Sequence, residues 1–471
     1  MLSIQFLGAA GTVTGSKYLV QIGPRRLLLD AGLFQGLKEL RLRNWADPPF
    51  SPSAVEAVVL SHAHIDHSGF LPRLARMGFR GKAYCTSGTA DLLRVMLPDA
   101  AMLQEEDAER ANRKGYTKHK PALPLYTEQD AKNALKTLRP CGYGNPVRVM
   151  EGCSVLFRRA AHILGAASVE LQLGNEQAKP FRLVHSGDLG RWDQPILRDP
   201  ELVPEADVLL LESTYGDRTH AADPSAELAR VVNETVHRGG ALLIPAFAVG
   251  RAQEVIWRLR QLEDQGRIPS LPVYLDSPMA INVSDIYCRH TEDHDLEMKE
   301  LMDEKRCPLC CSNQHFARTP TESKAINQVK GPVIIISSSG MATGGRILHH
   351  LEKRLPDPWT TVLLVGFQAA GTRGRLLQEG VRFLRMYGQE IPVRARVETI
   401  DGLSAHADQG DLLRWLSGFK KPPRQTFVVH GEPKQAEGLA RVIAGKLGWN
   451  VRPAVDGETV NFQRKEGEND G

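Results

Sequence analysis

The segment His62-Ala63-His64-Ile65-Asp66-His67 gathers three of the fifteen histidines of the chain and one carboxylate into six residues. Neutral imidazoles with one further partner suit a zinc ion, and an adjacent carboxylate and imidazole suit a second metal close by. Two ions so placed do hydrolytic chemistry, since they activate water and steady both the attacking and the departing oxygen of a displacement. The segment therefore predicts a two-metal hydrolase. A surface turn that happens to be rich in His and Asp is the bland alternative, and the local density of histidine weighs against it.

Such side chains need rigid elements behind them. The apolar run Ala57-Val58-Val59-Leu60 precedes the segment and reads as a short buried strand that delivers it at one end. The same device recurs along the chain. Asp30 follows Leu27-Leu28-Leu29, His162 follows the strand containing Ser154 to Phe157, and Asp188 follows Phe181 to Val184. Glu212 follows Val208 to Leu211, and His430 follows Phe427-Val428-Val429. Residues distant in sequence can thus converge on one edge of a layered structure, with chemistry on the loops and the sheets as scaffold.

Other elements are legible around these. Strand-like alternation about Gly23-Pro24-Arg25 predicts an antiparallel pair. Ser68 is the expected cap of a helix through Leu71, Leu74 and Ala75 that closes at Gly78, and helical sequence runs from about Thr89 to Arg113. From Asp217 to about Arg396, buried runs such as Val333 to Ile336 alternate with helices, which predicts a parallel sheet covered on both faces. The predicted organisation is an N-terminal part over 1–216, an inserted second domain over 217–396, a return to the first domain over 397–464, and a charged tail over 465–471.

With 471 residues, 42% hydrophobic and 24% charged, the chain is ordinary globular material, neither disordered nor fibrous. The N-terminus lacks the basic start of a cleaved signal peptide, and no stretch is apolar enough to cross a bilayer. Seven scattered cysteines do not make a disulfide framework, so the expected location is the cytoplasm. Cys307-Pro308-Leu309-Cys310-Cys311 lacks a second ligand pair for zinc and is expected to be a loop with free thiols. The net charge of +4 decides little, but the basic run from Arg110 to Lys120 has two readings. It is either a solvated helix end or a phosphate-attracting rim.

Taken in order, His62-x-His64-x-Asp66-His67, His162, and Asp188 within Ser186-Gly187-Asp188-Leu189-Gly190 resemble the metallo-β-lactamase fold. Glu212 in Leu-Glu-Ser-Thr-Tyr-Gly-Asp, His406 in Asp-Gly-Leu-Ser-Ala-His-Ala-Asp, and His430 in Val-Val-His-Gly-Glu are similar to motifs A, B and C of the β-CASP nucleases. The resemblance implies an α/β protein: a four-layer αββα metallo-β-lactamase domain with an inserted parallel-sheet α/β β-CASP domain. It implies two zinc ions per chain, with manganese the alternative. His62, His64 and His162 would hold the first, Asp66, His67 and His430 the second, and Asp188 would bridge. Asp30 is expected behind a ligand imidazole, fixing its tautomer. Asp66 and Asp188 would thus serve catalysis as ligands. Glu212 and His406 form a pair in which the imidazole either acts as general acid or statically stabilises phosphate charge.

The reaction so implied is hydrolysis of RNA phosphodiester bonds by in-line attack of a di-zinc-bound hydroxide, leaving 5′-phosphate and 3′-hydroxyl ends, within RNA chains or from a 5′ end. The preference for RNA rests on His430, which DNA-directed relatives typically lack. Candidate phosphate contacts are Ser338, Ser339 and Gly340 after one buried strand, Gly371, Thr372 and Arg373 after another, and Ser404. Arg251 is a further candidate, with a buried ion pair as its alternative. A thioester or lactone hydrolase, a DNA-directed nuclease and a non-catalytic RNA scaffold are the competing functions. RNA is the expected partner, with a second copy of the chain or a targeting protein beside it and no membrane.

Overall fold

A computed structural model describes residues 2–115, 119–174, 180–220, 223–304 and 307–462. Residues 116–118 of the basic run, and the tail from 465, lie outside the described residues.

Two seven-stranded sheets lie at the centre of the first unit. Alternation builds them: Leu27 and Leu29 point into the space between the sheets, where they meet Val155, Phe157, Val169, Leu183 and Leu210. Leu28 and Val58 point the other way, into a core shared with Leu92, Leu93 and Leu97 of the helix Ser87–Lys114. On the second sheet Leu209 and Leu211 do the same, in a core that includes Leu412 and Trp415 of the helix Gln409–Leu416 and Leu439 of the helix Pro433–Leu447. Helices thus cover both outer faces and make the four layers the resemblance implies. Each fully buried Leu or Val contributes roughly 1.5–3 kcal/mol relative to exposure.

The hairpin about Gly23 is present: Tyr18–Ile22 pairs antiparallel with Arg25–Leu29, Ile22 opposite Arg25. Most strands carrying candidate site residues pair in parallel, and Cys153–Arg159 before His162, antiparallel to both neighbours, runs the same way as Phe181–His185 two strands along, so the carboxyl ends share one edge. Arg25–Leu29 pairs with Ala57–Val59, Leu29 opposite Val59. In the second sheet Val208–Glu212 lies between Phe181–His185 and Gln425–Val429, with Glu212 opposite Val429. The chain therefore leaves the first unit after Glu212 and returns to the neighbouring strand just before His430.

Between these points lies a six-stranded, wholly parallel sheet. Its last strand, Arg396–Thr399, pairs with Thr361–Leu364, which carries the inserted unit slightly past the expected boundary at 396. No helix among the described residues is long and apolar enough to cross a membrane.

Two expectations are corrected. Ser68 does not cap the helix Leu71–Arg76. It ends the one-turn helix Ile65–Ser68, and its hydroxyl donates back to the carbonyls of Ala63 and His64. Cys307 and Cys310 are not free thiols but a disulfide, because the turn between them brings their Cα atoms to 5.5 Å. Cys311 is free and buried.

Candidate active site

After Val59 the chain enters a loop fixed from below. The backbone N–H of Ser61 donates to Asp30 Oδ1 at 2.7 Å, and its hydroxyl to Oδ2 at 2.9 Å. His64 then opens the short helix, which swings Asp66 and His67 round beside His62. His162 arrives on a turn anchored by the Gly165 carbonyl, which accepts from the hydroxyls of Thr86 and Thr89. The tightness is steric: a Cβ on Gly165, whose φ is +76°, would lie 2.2 Å from the Thr89 nitrogen.

The structure brings all seven expected metal ligands together. Nδ1 of His64 lies 3.2 Å from Nε2 of His62 and 3.2 Å from Nε2 of His162. Nitrogens on a tetrahedral zinc with bonds of about 2.0–2.1 Å sit about 3.3 Å apart, so the cluster matches a closed nitrogen face for one ion. Asp66, His67 and His430 form a second group. Asp188 stands between the two. Its Oδ2 is 3.5 Å from His62 Nε2 and 3.6 Å from His162 Nε2, whereas Oδ1 is 3.3 Å from His67 Nε2 and 3.6 Å from His430 Nδ1.

Polar satisfaction tests the fit to metal. Nε2 of His67, Nε2 of His430 and Oδ1 of Asp188 are buried without a hydrogen-bond partner. Orphaned acceptors of this kind are costly unless a cation completes them. Protonation states agree at the first group. Burial, followed by the charge of His67, holds the His62 imidazole well below the ordinary histidine range, and burial lowers His64 to about 4. Both are therefore neutral ligands. At His67 burial opposes the charge, but Asp188 and Asp30 outweigh it and raise the imidazole well above the ordinary histidine range, and a cation at Nε2 would replace that proton. Burial opposes ionisation of Asp188, but His430, His67 and His62 outweigh it and hold the carboxyl well below its usual range.

Asp30 stands behind His67. Its Oδ2 is 2.7 Å from His67 Nδ1, which leaves Nε2 turned toward Asp188. Burial alone would raise the Asp30 carboxyl, but His67 and His185 outweigh it and hold it far below the carboxylate range. His185, 3.0 Å from the same oxygen, is a residue the spacing argument does not single out, although it ends a strand as the others do. Thr214, whose hydroxyl lies 3.1 Å from His430 Nδ1, and Ser61 carry no signal of their own in the sequence.

Glu212 is fully buried and accepts from the N–H groups of Leu189, at 2.7 Å, and Thr214, at 3.3 Å. Its Oε1 is 3.3 Å from His406 Nδ1. The His406 ring, 15% exposed, reaches the cleft. Burial disfavours its charge, but Glu212, Asp188 and Asp66 outweigh burial and raise its pKa.

These groups open into a cavity of about 150 Å³ between the two units, bounded on the far side by Phe247, Arg251, Met341 and Phe367 of the inserted unit. The expected phosphate contacts do not all converge there. Arg251 and Ser404 line the cavity, but Arg251 is paired with Glu254, the alternative foreseen for it. Ser338 and Ser339 line an adjoining groove, and Gly340 packs under Phe247. Thr372 is a helix cap, its hydroxyl accepting from the Arg375 N–H, and Gly371 packs on Leu37. Arg373 is absent from the cavity because its guanidinium donates to the carbonyls of Arg385 and Thr343.

Three domain families match the chain: a Beta-lactamase superfamily domain over residues 25–239, a Beta-Casp domain over 252–377, and a Zn-dependent metallo-hydrolase RNA specificity domain over 390–453. A ribonuclease of Thermus thermophilus is 39% identical, over 96% of this chain and 98% of that protein. An RNase J-like protein of Methanocaldococcus jannaschii is 30% identical over 94% and 96%, and a transcription termination factor of the same organism is 32% identical over 94% and 69%. A crystal structure from Enterococcus faecalis, of a protein of unknown function, shares the fold at a TM-score of 0.50 and 12% identity, covering 98% of this chain and 99% of that one.

Proposed function

Because the chain belongs to the β-CASP family of metallo-β-lactamase-fold nucleases, we propose that it is a zinc-dependent ribonuclease that hydrolyses RNA phosphodiester bonds and leaves 5′-phosphate and 3′-hydroxyl ends. The observation that carries the reading is Asp188, whose two oxygens face two separate ligand groups from a single buried carboxylate. His62, His64 and His162 would hold one ion, and Asp66, His67 and His430 the other. Two such ions, when bound, make water nucleophilic near neutral pH and offset the charge of a phosphate.

The remaining residues manage orientation and protons. Asp30 keeps the His67 Nδ1 proton engaged, so that Nε2 stays free for a metal. Thr214 orients His430 in the same sense. Glu212, itself pinned by two backbone N–H groups, engages His406 Nδ1 and leaves Nε2 to donate a proton to the departing 3′ oxygen. No step uses a ribose hydroxyl as nucleophile, so preference for RNA has to arise from binding. We place the enzyme in the cytoplasm, acting in RNA processing or decay.

The test offers the zinc-loaded protein matched single strands of RNA and DNA, unstructured and 24 nucleotides long. Faster cleavage of the RNA is the expected outcome. Preferential cutting of the DNA, or of neither strand, contradicts the assignment.

A further inference from the structure

A groove of about 630 Å³ leaves the site at His64 and runs between the helix Ser87–Lys114 and the inserted unit. It passes Phe247 and Leu103 and ends at Asp107 and the turn Thr343–Gly345. A small feature of the inserted unit stands beside that outer end. Phe383–Met386 and Gln389–Pro392 form a two-stranded hairpin whose tip is Tyr387-Gly388, with Met386 opposite Gln389. Arg373 fastens this hairpin to the groove wall, donating from Nε to the Arg385 carbonyl at 3.1 Å and from Nη1 to the Thr343 carbonyl at 3.3 Å.

The tip has an unexpected residue. Tyr387 and Gly388 have φ of +51° and +81°, the two left-handed residues of a tight hairpin turn. Asn, Asp or Gly is favoured at the first of these, and a bulky aromatic there strains the backbone. Burial does not compensate, since Tyr387 is 43% exposed. Its ring instead stacks on His349, with centroids 5.3 Å apart and planes 17° from parallel. Arg110, one turn beyond Asp107, lies near enough to act electrostatically on both rings, as Glu352 does, and Asp107 acts on Tyr387. Exposed Arg113 and Lys114 continue the helix, and Arg385 is exposed on the hairpin beside Phe383, which is 58% exposed.

Strain kept at an exposed position, where the ring gains only its stack on the exposed His349 and a hydroxyl contact of 3.4 Å to the same imidazole, points to function. Aromatic faces framed by arginines are how proteins hold single-stranded nucleic acid without regard to sequence. We propose that Tyr387 stacked on His349 is a base-stacking platform for the unpaired RNA strand, several nucleotides from the phosphate that is cut. The groove from His64 carries the intervening strand, and Arg110 and Arg385 flank its backbone. The platform assigns a role to Arg110, at the start of the basic run, which the cleft leaves unused. It also gives the inserted unit a grip on substrate outside the metal site. The proposal rests on the ribonuclease reading for its ligand, although binding can be measured without cleavage.

The experiment uses fluorescence anisotropy with a 5′-fluorescein RNA of 24 unstructured nucleotides. The zinc-loaded protein carries His406→Ala so that the probe survives. Tyr387→Asn is the informative variant, because it supplies the residue the turn favours and removes the stack. It is expected to raise Tm while weakening RNA binding about 10-fold, the effect of losing a stacked base. Tyr387→Phe should keep the affinity. A rise in Tm with no loss of affinity shows the tyrosine to be only a poor turn residue and overturns the platform. So does a change in molar mass by light scattering with RNA affinity intact, which marks a protein contact, and so does failure of the parent to bind RNA. If the zinc-loaded protein with His406 intact cuts no RNA, yet the His406→Ala protein binds it through Tyr387, the ribonuclease reading falls and the platform stands.

Discussion

His406 faces the cleft whereas Asp30 stands behind His67, so their loss should read differently. His406→Ala removes the proton donor and leaves every metal ligand in place, so cleavage should fall by about 10²–10⁴-fold with metal content unchanged by elemental analysis. Asp30→Asn keeps the donor and releases the His67 tautomer, and should weaken metal affinity by about 10–100-fold. If His406→Ala lost its metal, or Asp30→Asn bound metal as the parent does, the division of roles would be wrong. The ligands were legible because each is a His or Asp near the end of an apolar run, and four of them fall within the six residues from His62 to His67. Of the residues that act behind the site, Asp30 and Glu212 end apolar runs in the same way and were legible, but His185, Ser61 and Thr214 were not. Ser61 and Thr214 reach Asp30 and His430 only because parallel strands from distant segments share an edge, a fact of pairing and not of spacing.

At the scale of elements, strand-end delivery succeeded where it rested on local pattern and failed where it needed a direction. Gly371, Thr372 and Arg373 do follow a buried strand, but that turn spends its groups on capping a helix and holding a hairpin. The contact between the two units offers a pH test away from the metals. His290, at the end of the helix Pro278–Arg289, lies 3.0 Å from Asp91 of the long helix and 2.9 Å from Glu292. Burial opposes its charge, but Glu292 and Asp91 outweigh it and raise its pKa. A raised folded-state pKa stabilises fully below the unfolded value of about 6.5 and loses that stabilisation as pH climbs through the folded value. His290→Gln should therefore lower Tm at pH 5.5 and much less at pH 9. The effect should stay under about 1 kcal/mol because both carboxylates are a third or more exposed and water screens them. An equal loss at both pH values would assign His290 a packing role instead.

Across the whole molecule, the site joins segments that meet nowhere in sequence: residues 62–67, 162, 188 and 430. Metal should therefore stabilise the entire fold. Each ion held at a hundred times its Kd adds about 2.7 kcal/mol, so dialysis against a chelator should lower Tm by several degrees and abolish cleavage, both restored by zinc. An unchanged Tm after proven metal removal would contradict this. The two-unit plan was visible as a change of texture, from strands ending in His or Asp to continuous apolar runs between helices. The inserted sheet runs on through Arg396–Thr399 because that strand pairs with Thr361–Leu364, a partner no local signal names. The disulfide at Cys307 likewise depends on how a turn closes.

In the proposed reaction, water readied around Asp188 attacks the phosphorus and expels the 3′ oxygen. Cleavage of RNA in ¹⁸O-enriched water, with mass spectrometry of the product ends, addresses it directly. The predicted result is one ¹⁸O in the 5′-phosphate of the downstream product and an unlabelled 3′-hydroxyl upstream. A 2′,3′-cyclic phosphate, or label at a 3′-phosphate, would contradict it.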